Sequence, residues 1–236
     1  MKWLYDIVLS VGEACYQSIV YDNRYKFILE GLFHTVLIAF FAVIIGVVIG
    51  IVVALIRNMY EQNGKLKIGN TLCKWYVDII RGTPVVLQLM IIYYVIFKSV
   101  DISAVVVGIL AFGINSGAYV SEIIRSGINS IPIGQSEAGY SLGLNYFQVM
   151  RYIVLPQAIR NILPALGNEF ITLLKETSVG AYVGIVELTK ASDIIASRTY
   201  DYFFPLFIIA VIYLIMTIGL SRLVNYMEGR LNNARG

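Results

Sequence analysis

From Val36 to Ile56 the chain runs 21 residues of Ala, Val, Ile, Leu, Phe and Gly without a charge or a polar side chain. At 1.5 Å rise per residue, a helix of that length reaches about 30 Å, the thickness of a bilayer's hydrocarbon core. Gly46 and Gly50 within it form a small-xxx-small face suited to close packing against another helix. The whole chain shares this character, being 58% hydrophobic and only 14% charged, against about 45–50% and about 25% in soluble domains. That balance excludes a soluble globular enzyme, a disordered protein, a collagen and a nucleic-acid arm. Two cysteines, Cys15 and Cys73, share no motif with each other or with the single histidine, His34. A disulfide framework and a Cys/His zinc site are therefore excluded, and His34 reads as an interfacial residue. The formal net charge of +3 points to no partner.

The remaining spans are read around the charges. Residues 1–27 form an amphipathic segment: Leu4, Val8, Val11, Cys15 and Ile19 share one helical face, and Asp6, Ser10, Glu13 and Gln17 another. Val85–Phe97 is too short to cross alone and needs the preceding stretch, in which Lys74, Asp78 and Arg81 share a face. Such a stripe must face protein, water or headgroups, and Pro84 within the span should kink it. Ile102–Val120 and Phe203–Ser221 supply two further uncharged spans. Residues 163–187 are apolar but broken by Lys175-Glu176-Thr177-Ser178, with Glu169 ahead. Counted as a fourth, discontinuous span, this region brings the expectation to five. Nine Lys/Arg against six, or twelve against six with Lys74, Arg81 and Lys175 placed in inner helix halves, put the amino terminus outside and the carboxyl terminus in the cytoplasm.

The cytoplasmic loop 121–162 is organised. Pro132 and Pro156 punctuate it, and two short helices are expected at Ser136–Leu142 and Tyr146–Leu155. Gly143 stands between them at a helix-ending position, and Asn145 is placed to cap the second. A helix–turn–helix of this kind is a docking element for a partner.

Here the residues resemble a known family. Glu137-Ala138-Gly139, Gly143, Ile153 and Leu155-Pro156 follow the pattern E-A-A-x3-G-x9-I-x-L-P, the cytoplasmic signature of membrane subunits of binding-protein-dependent ABC importers. Gly139 replaces the pattern's second alanine. Arg81-Gly82-Thr83-Pro84 with Gln88, Tyr119 to Pro132, Leu155 to Arg160, Pro164 to Asn168 and Leu173 to Ser178 are similar to the polar amino acid uptake branch. The resemblance covers residues 28–226, leaving 227–236 as a cytoplasmic tail. It implies an all-α, polytopic, type I importer fold with five transmembrane helices and a cytoplasmic coupling helix, in a bacterial cell membrane. Glu137, Ala138, Gly139, Gly143, Leu144, Ile153, Leu155 and Pro156 are then expected to contact two ATPase subunits. A second permease chain, identical or a paralogue, and an extracytoplasmic solute-binding protein complete the implied assembly, with a polar amino acid as substrate and no nucleic acid. Glu137 is expected in the first turn of its helix, where a negative charge is favoured.

No G-x-x-x-x-G-K-[ST] loop occurs in the chain. Hydrolysis therefore falls to the partner, which holds ATP and magnesium, and this chain binds no cofactor or metal and is not an enzyme. A carboxylate within a span is costly unless paired or wet, so Glu169 is either a group of the substrate path or half of a structural pair. With Asn168 and Thr172 beside it, and Gln88, Asn115, Ser116, Tyr119 and Arg81 on neighbouring spans, it outlines a polar ring. The other reading is mutual satisfaction between packed helices. Arg81 is open between an acid of its own bundle and a substrate carboxylate, while Lys175 and Glu176 read as structural groups near a cytoplasmic gate. The alternative function is an ion-coupled secondary amino acid transporter.

Overall fold

The computed structural model describes residues 12–233, excluding the side chains of Asn63, Asn232 and Asn233. Among the described residues the secondary structure is helical throughout, with no strand. A short helix α1 (12–19) and a turn at Tyr21–Asn23 precede α2 (Tyr25–Asn63), α3 (Lys67–Gly82), α4 (Val85–Ile91, widening into a π-turn at Ile92–Ile96) and α5 (Ala104–Asn129). Then come α6 (Ile133–Ser141), α7 (Tyr146–Val149), a π-turn at Met150–Val154, α8 (Leu155–Glu176), a 3-10 turn at Thr177–Val183, α9 (Leu188–Thr199) and α10 (Phe203–Asn233). The expected N-terminal amphipathic pattern lies outside the described residues up to position 11. Within α1, Cys15 and Ile19 are half-buried while Glu13 and Gln17 are exposed.

The spine is a seam between α2 and α5. Small residues let the backbones close: a Cβ at Gly46 would stand 2.6 Å from Ser116 Oγ, and one at Gly50 would stand 2.5 Å from Val120 Cγ1. The complement comes from α5, where Gly113 and Gly117 receive Ile45 and Ile49. Residue numbers rise together along the seam, so the two helices run parallel. The chain between them must therefore return to the side from which α2 began. That return is made by α3 and α4, which differ in direction by 110°. The expected kinked span is thus two separate helices. Thr83 (φ −126°, ψ 147°) and Pro84 (φ −62°, ψ 133°) are both extended, because a residue before proline is pushed out of the helical region. Pro84 precedes α4 rather than sitting inside a helix.

α8 lies antiparallel to α5, with Ile162 against Gly127 and Glu169 bonded to Ser116. Val224 of α10 covers Gly167, and Ile209 packs with Ile28, Leu188 and Ile195 at the far end. A central core of Ile38, Leu89, Phe112, Leu173, Leu174 and Ile185 joins α2, α4, α5 and α8.

Among the described residues, three helices are long and apolar enough to cross a membrane, Tyr21–Gln62, Ala104–Asn129 and Phe203–Leu231, and a fourth crossing follows if the bent pair Lys67–Gly82 and Val85–Ile96 counts as one. α8 does not qualify by length and composition. Other boundaries also move. α5 continues through Arg125 to Asn129, and α8 begins at Leu155, so most of what separates them is residues 130–154 rather than 121–162. Pro156 does not interrupt: it stands in the first turn of α8, directly after the π-turn. The region 163–187 is the second half of α8 followed by a 3-10 turn ending at Gly184 (φ 79°). Lys175 and Glu176 close α8 at the end opposite the docking element, so they are not beside that loop. Moving Lys175 across reduces the inner-to-outer balance to eleven against seven.

Candidate docking element and polar cavity

The docking element is built by helix-end chemistry. α6 stops at Ser141, Leu142 closes it, and Gly143 takes the left-handed conformation (φ 80°) that costs glycine least. The Gly143 N–H donates to Tyr140 O (2.9 Å) and the Leu144 N–H to Gly139 O (3.2 Å), which is the Schellman pairing. Asn145 then opens α7 with a reciprocal capping box: the Gln148 N–H donates to Asn145 Oδ1 (3.0 Å), and the Asn145 N–H to Gln148 Oε1 (2.8 Å). α7 runs through the π-turn directly into α8, so the expected second helix, Tyr146–Leu155, is the root of a much longer rod.

Gly139 is buried, and a Cβ there would meet Ile153 Cδ1 at 2.7 Å and Val149 Cγ2 at 2.9 Å. The substitution for alanine is matched by side chains that fill the space. Glu137 and Ala138 are exposed, as are Leu155 and Pro156, while Leu144 and Ile153 are half-buried. Glu137 is the fifth residue of α6, not in its first turn, because the helix starts at Ile133. Leu142 and Phe147 are about four-fifths exposed, at 80% and 81%, so the element presents apolar side chains outward. Tyr146 faces the end of α2. Burial outweighs a hydrogen bond with Asn58 and pushes its phenol above the ordinary value.

A cavity of about 430 Å³ opens between α3, α5 and α8. Arg81, Tyr119 and Glu169 line it, together with Glu122, Ser126, Ser130 and Asn161. The Arg81 guanidinium carbon lies 5.3 Å from the Tyr119 ring centroid. Ser116, fully buried, donates to Glu169 Oε1 at 2.8 Å. The cavity thus holds a cation, an aromatic face and two carboxylates within one volume. Such a set can receive both ends of a zwitterion.

Other residues of the expected ring are elsewhere. Asn115 donates to Gln88 Oε1 (2.8 Å), and Gln88 Nε2 donates to Ile80 O (2.8 Å), Thr83 O (3.1 Å) and Thr83 Oγ1 (2.8 Å). These two close the break between α3 and α4. Asn168 and Thr172 are exposed, and the Thr172 hydroxyl donates to its own helix at Asn168 O (3.1 Å). The residues missed from sequence were Glu122, Ser126, Ser130 and Asn161. Glu122, Ser126 and Ser130 recur every four residues, a helical stripe that was readable had the span been carried past Val120.

This is the fold and site of a membrane transport subunit. A family model described as "Binding-protein-dependent transport system inner membrane component" matches residues 46–233, and the chain belongs to that family. A Rickettsia typhi chain provisionally named glutamine transport system permease protein GlnP is 40% identical over 207 residues, 87% of this chain and 93% of its own length. The arginine transport system permease protein ArtQ of Bacillus subtilis is 37% identical over 209 residues, 88% and 93% of the two chains. A crystal structure of an amino acid ABC transporter with histidines superposes with a TM-score of 0.82 at 43% identity, covering 87% of this chain and 94% of that one.

Proposed function

We propose that this chain forms the substrate path of an ATP-driven importer of polar amino acids and transmits the work of a separate ATPase to it. The carrying observation is the continuous rod from Asn145 to Glu176: α7, the π-turn and α8 make one helical body. Its base is the docking element and, about 36 Å along at 1.5 Å per residue, it places Glu169 in the polar cavity. Movement imposed at Gly143 reaches the cavity along this helical body, whose two bending points are the π-turn and Pro164 within α8. Family membership leaves the ion-coupled alternative without support.

The assembly we infer has two permease chains, two ATPase subunits holding ATP and magnesium, and an external binding protein. Residues 28–226 serve as the transmembrane unit, with the amino terminus outside and the tail in the cytoplasm. Helix directions support five crossings: α2, α5 and α10 run one way, α8 runs the other, and the bent α3–α4 pair supplies the remaining return. The relatives named for glutamine and for arginine differ in the side chain of their substrates and share the α-amino acid head. Arg81 suits that head's carboxylate, and Glu169 its ammonium or a basic side chain.

Gly143→Asp tests the docking role. The site has open space around it but a φ of 80° that strains any side chain, so the chain should insert and melt slightly below the parent, while ATPase stimulation by loaded binding protein is abolished. Full stimulation in that variant refutes the reading.

A further inference from the structure

The dry seam between α2 and α5 ends at Gly50, Val120 and Ser121. Beyond it the two helices are joined by charge instead. Glu122 accepts hydrogen bonds from Arg57 of α2 and from Arg125 of its own helix, the latter at 3.3 Å (Nε) and 2.9 Å (Nη2). Arg57 is largely enclosed, its side chain 12% exposed against 20% for Glu122 and 39% for Arg125. Among the described residues its Nε has no acceptor.

The position of this triad matters more than its strength. Glu122 lines the polar cavity together with Glu169. The residue after Arg57, Asn58, and Glu61 one turn on, line a second cavity of about 450 Å³, whose other walls include Ile128 of α5 and Tyr140 and Tyr146 of the docking element. Glu122 thus stands on the first cavity, while Arg57 immediately precedes the stretch of α2 that walls the second. An ammonium or guanidinium entering the first cavity competes with Arg57 for the Glu122 carboxylate. An enclosed arginine that loses its counter-charge has to move, and it carries the end of α2 against Tyr146.

We propose that Glu122 is a positioning residue that reports occupancy of the path cavity to the docking element through its ion pair with Arg57. This rests on the transport reading above. It adds that substrate in the membrane chain, not only the loaded binding protein outside, sets the rate of ATP hydrolysis.

The test uses the whole transporter in proteoliposomes, with its partner ATPase and its binding protein. ATP hydrolysis is compared with the binding protein empty and loaded with L-arginine or L-glutamine. Glu122→Gln should raise hydrolysis with empty binding protein and lower the loaded-to-empty ratio by about fivefold or more, within the usual range of allosteric coupling. Glu122→Asp should restore most of the ratio, a rescue that simple space filling would not give. Arg125→Gln, on the exposed flank, should lower the ratio less. A parental ratio in assembled Glu122→Gln overturns the proposal. Should Glu122→Gln fail to assemble, an unchanged ratio in Arg57→Lys, which keeps the charge and loses the guanidinium fork, overturns it equally. A parent that no loaded binding protein stimulates overturns the transport reading itself, so the two failures are distinguishable.

Discussion

Helix α5 meets α2 on one face and the polar cavity on the other, and the two faces are made differently. Towards α2 it offers Gly113, Gly117, Ala118 and Val120, all buried, with backbones so close that no Cβ fits at the glycines. Towards α3 and α8 it offers Tyr119, Glu122, Ile123 and Ser126 around a cavity. Packed interfaces of the first kind have one arrangement, because close packing is not continuously deformable. A polar cavity with charges at its rim has more than one. The contrast assigns the seam itself, Gly46 and Gly50 of α2 against Gly113 and Gly117 of α5, to a rigid unit, and leaves the parts beside the cavity, the Arg57 end of α2 and the docking root of α8, as those that can move.

The seam should be the harder of the two faces to alter. Gly50→Val drives branched methyls into Val120, where even a Cβ would sit at 2.5 Å. Overpacking of this kind costs about 1–3 kcal/mol, and more against backbone, so melting in detergent should fall by several degrees and little transporter should assemble. Normal melting would show that the seam can slide and would end the contrast.

Glu169→Gln probes the other face. Transport of a basic amino acid should drop about tenfold, equivalent to about 1.4 kcal/mol, with melting unchanged. A variant equal to the parent in arginine, glutamine and glutamate uptake would remove Glu169 from the path.

The smallest effect on transport should come from the Asn115–Gln88 pair, which belongs to packing. Asn115→Leu alone leaves the Gln88 carbonyl oxygen without its donor and should cost about 1–3 kcal/mol. Adding Gln88→Leu removes that orphan but reopens the carbonyls of Ile80 and Thr83, so the double variant should recover only part of the loss. Uptake kinetics should hold their substrate preference throughout, and a changed preference would move this pair into the path.

The legible parts of the molecule were those governed by local chemistry. Gly46 and Gly50 announced the seam because only small residues permit such approach. Gly143 and Asn145 announced the docking turn because one needs a positive φ and the other supplies a cap. The illegible parts depended on partners far away in sequence. Nothing near Thr83 says that Gln88 will close the break and let two helices turn through 110°. Helix α9 was missed because its apolar face, Leu188, Ala191 and Ile195, is short and interrupted by Lys190 and Asp193. Glu122 is not legible because a charge after an apolar run reads as the end of a span. Its burial depends on Arg57, 65 residues earlier.

The break at Thr83–Pro84 also bears on biogenesis. A straight apolar helix can leave the insertion machinery alone, since all its backbone groups are satisfied. The α3–α4 pair cannot, because its elbow is closed by Gln88, and Gln88 is in turn held by Asn115 of the next long helix. The elbow is complete only after α5 has been synthesised and has arrived beside it. Pulse-labelled chains truncated before Ala104 should therefore leave residues 67–96 accessible to aqueous cysteine reagents, with protection appearing only once α5 is present.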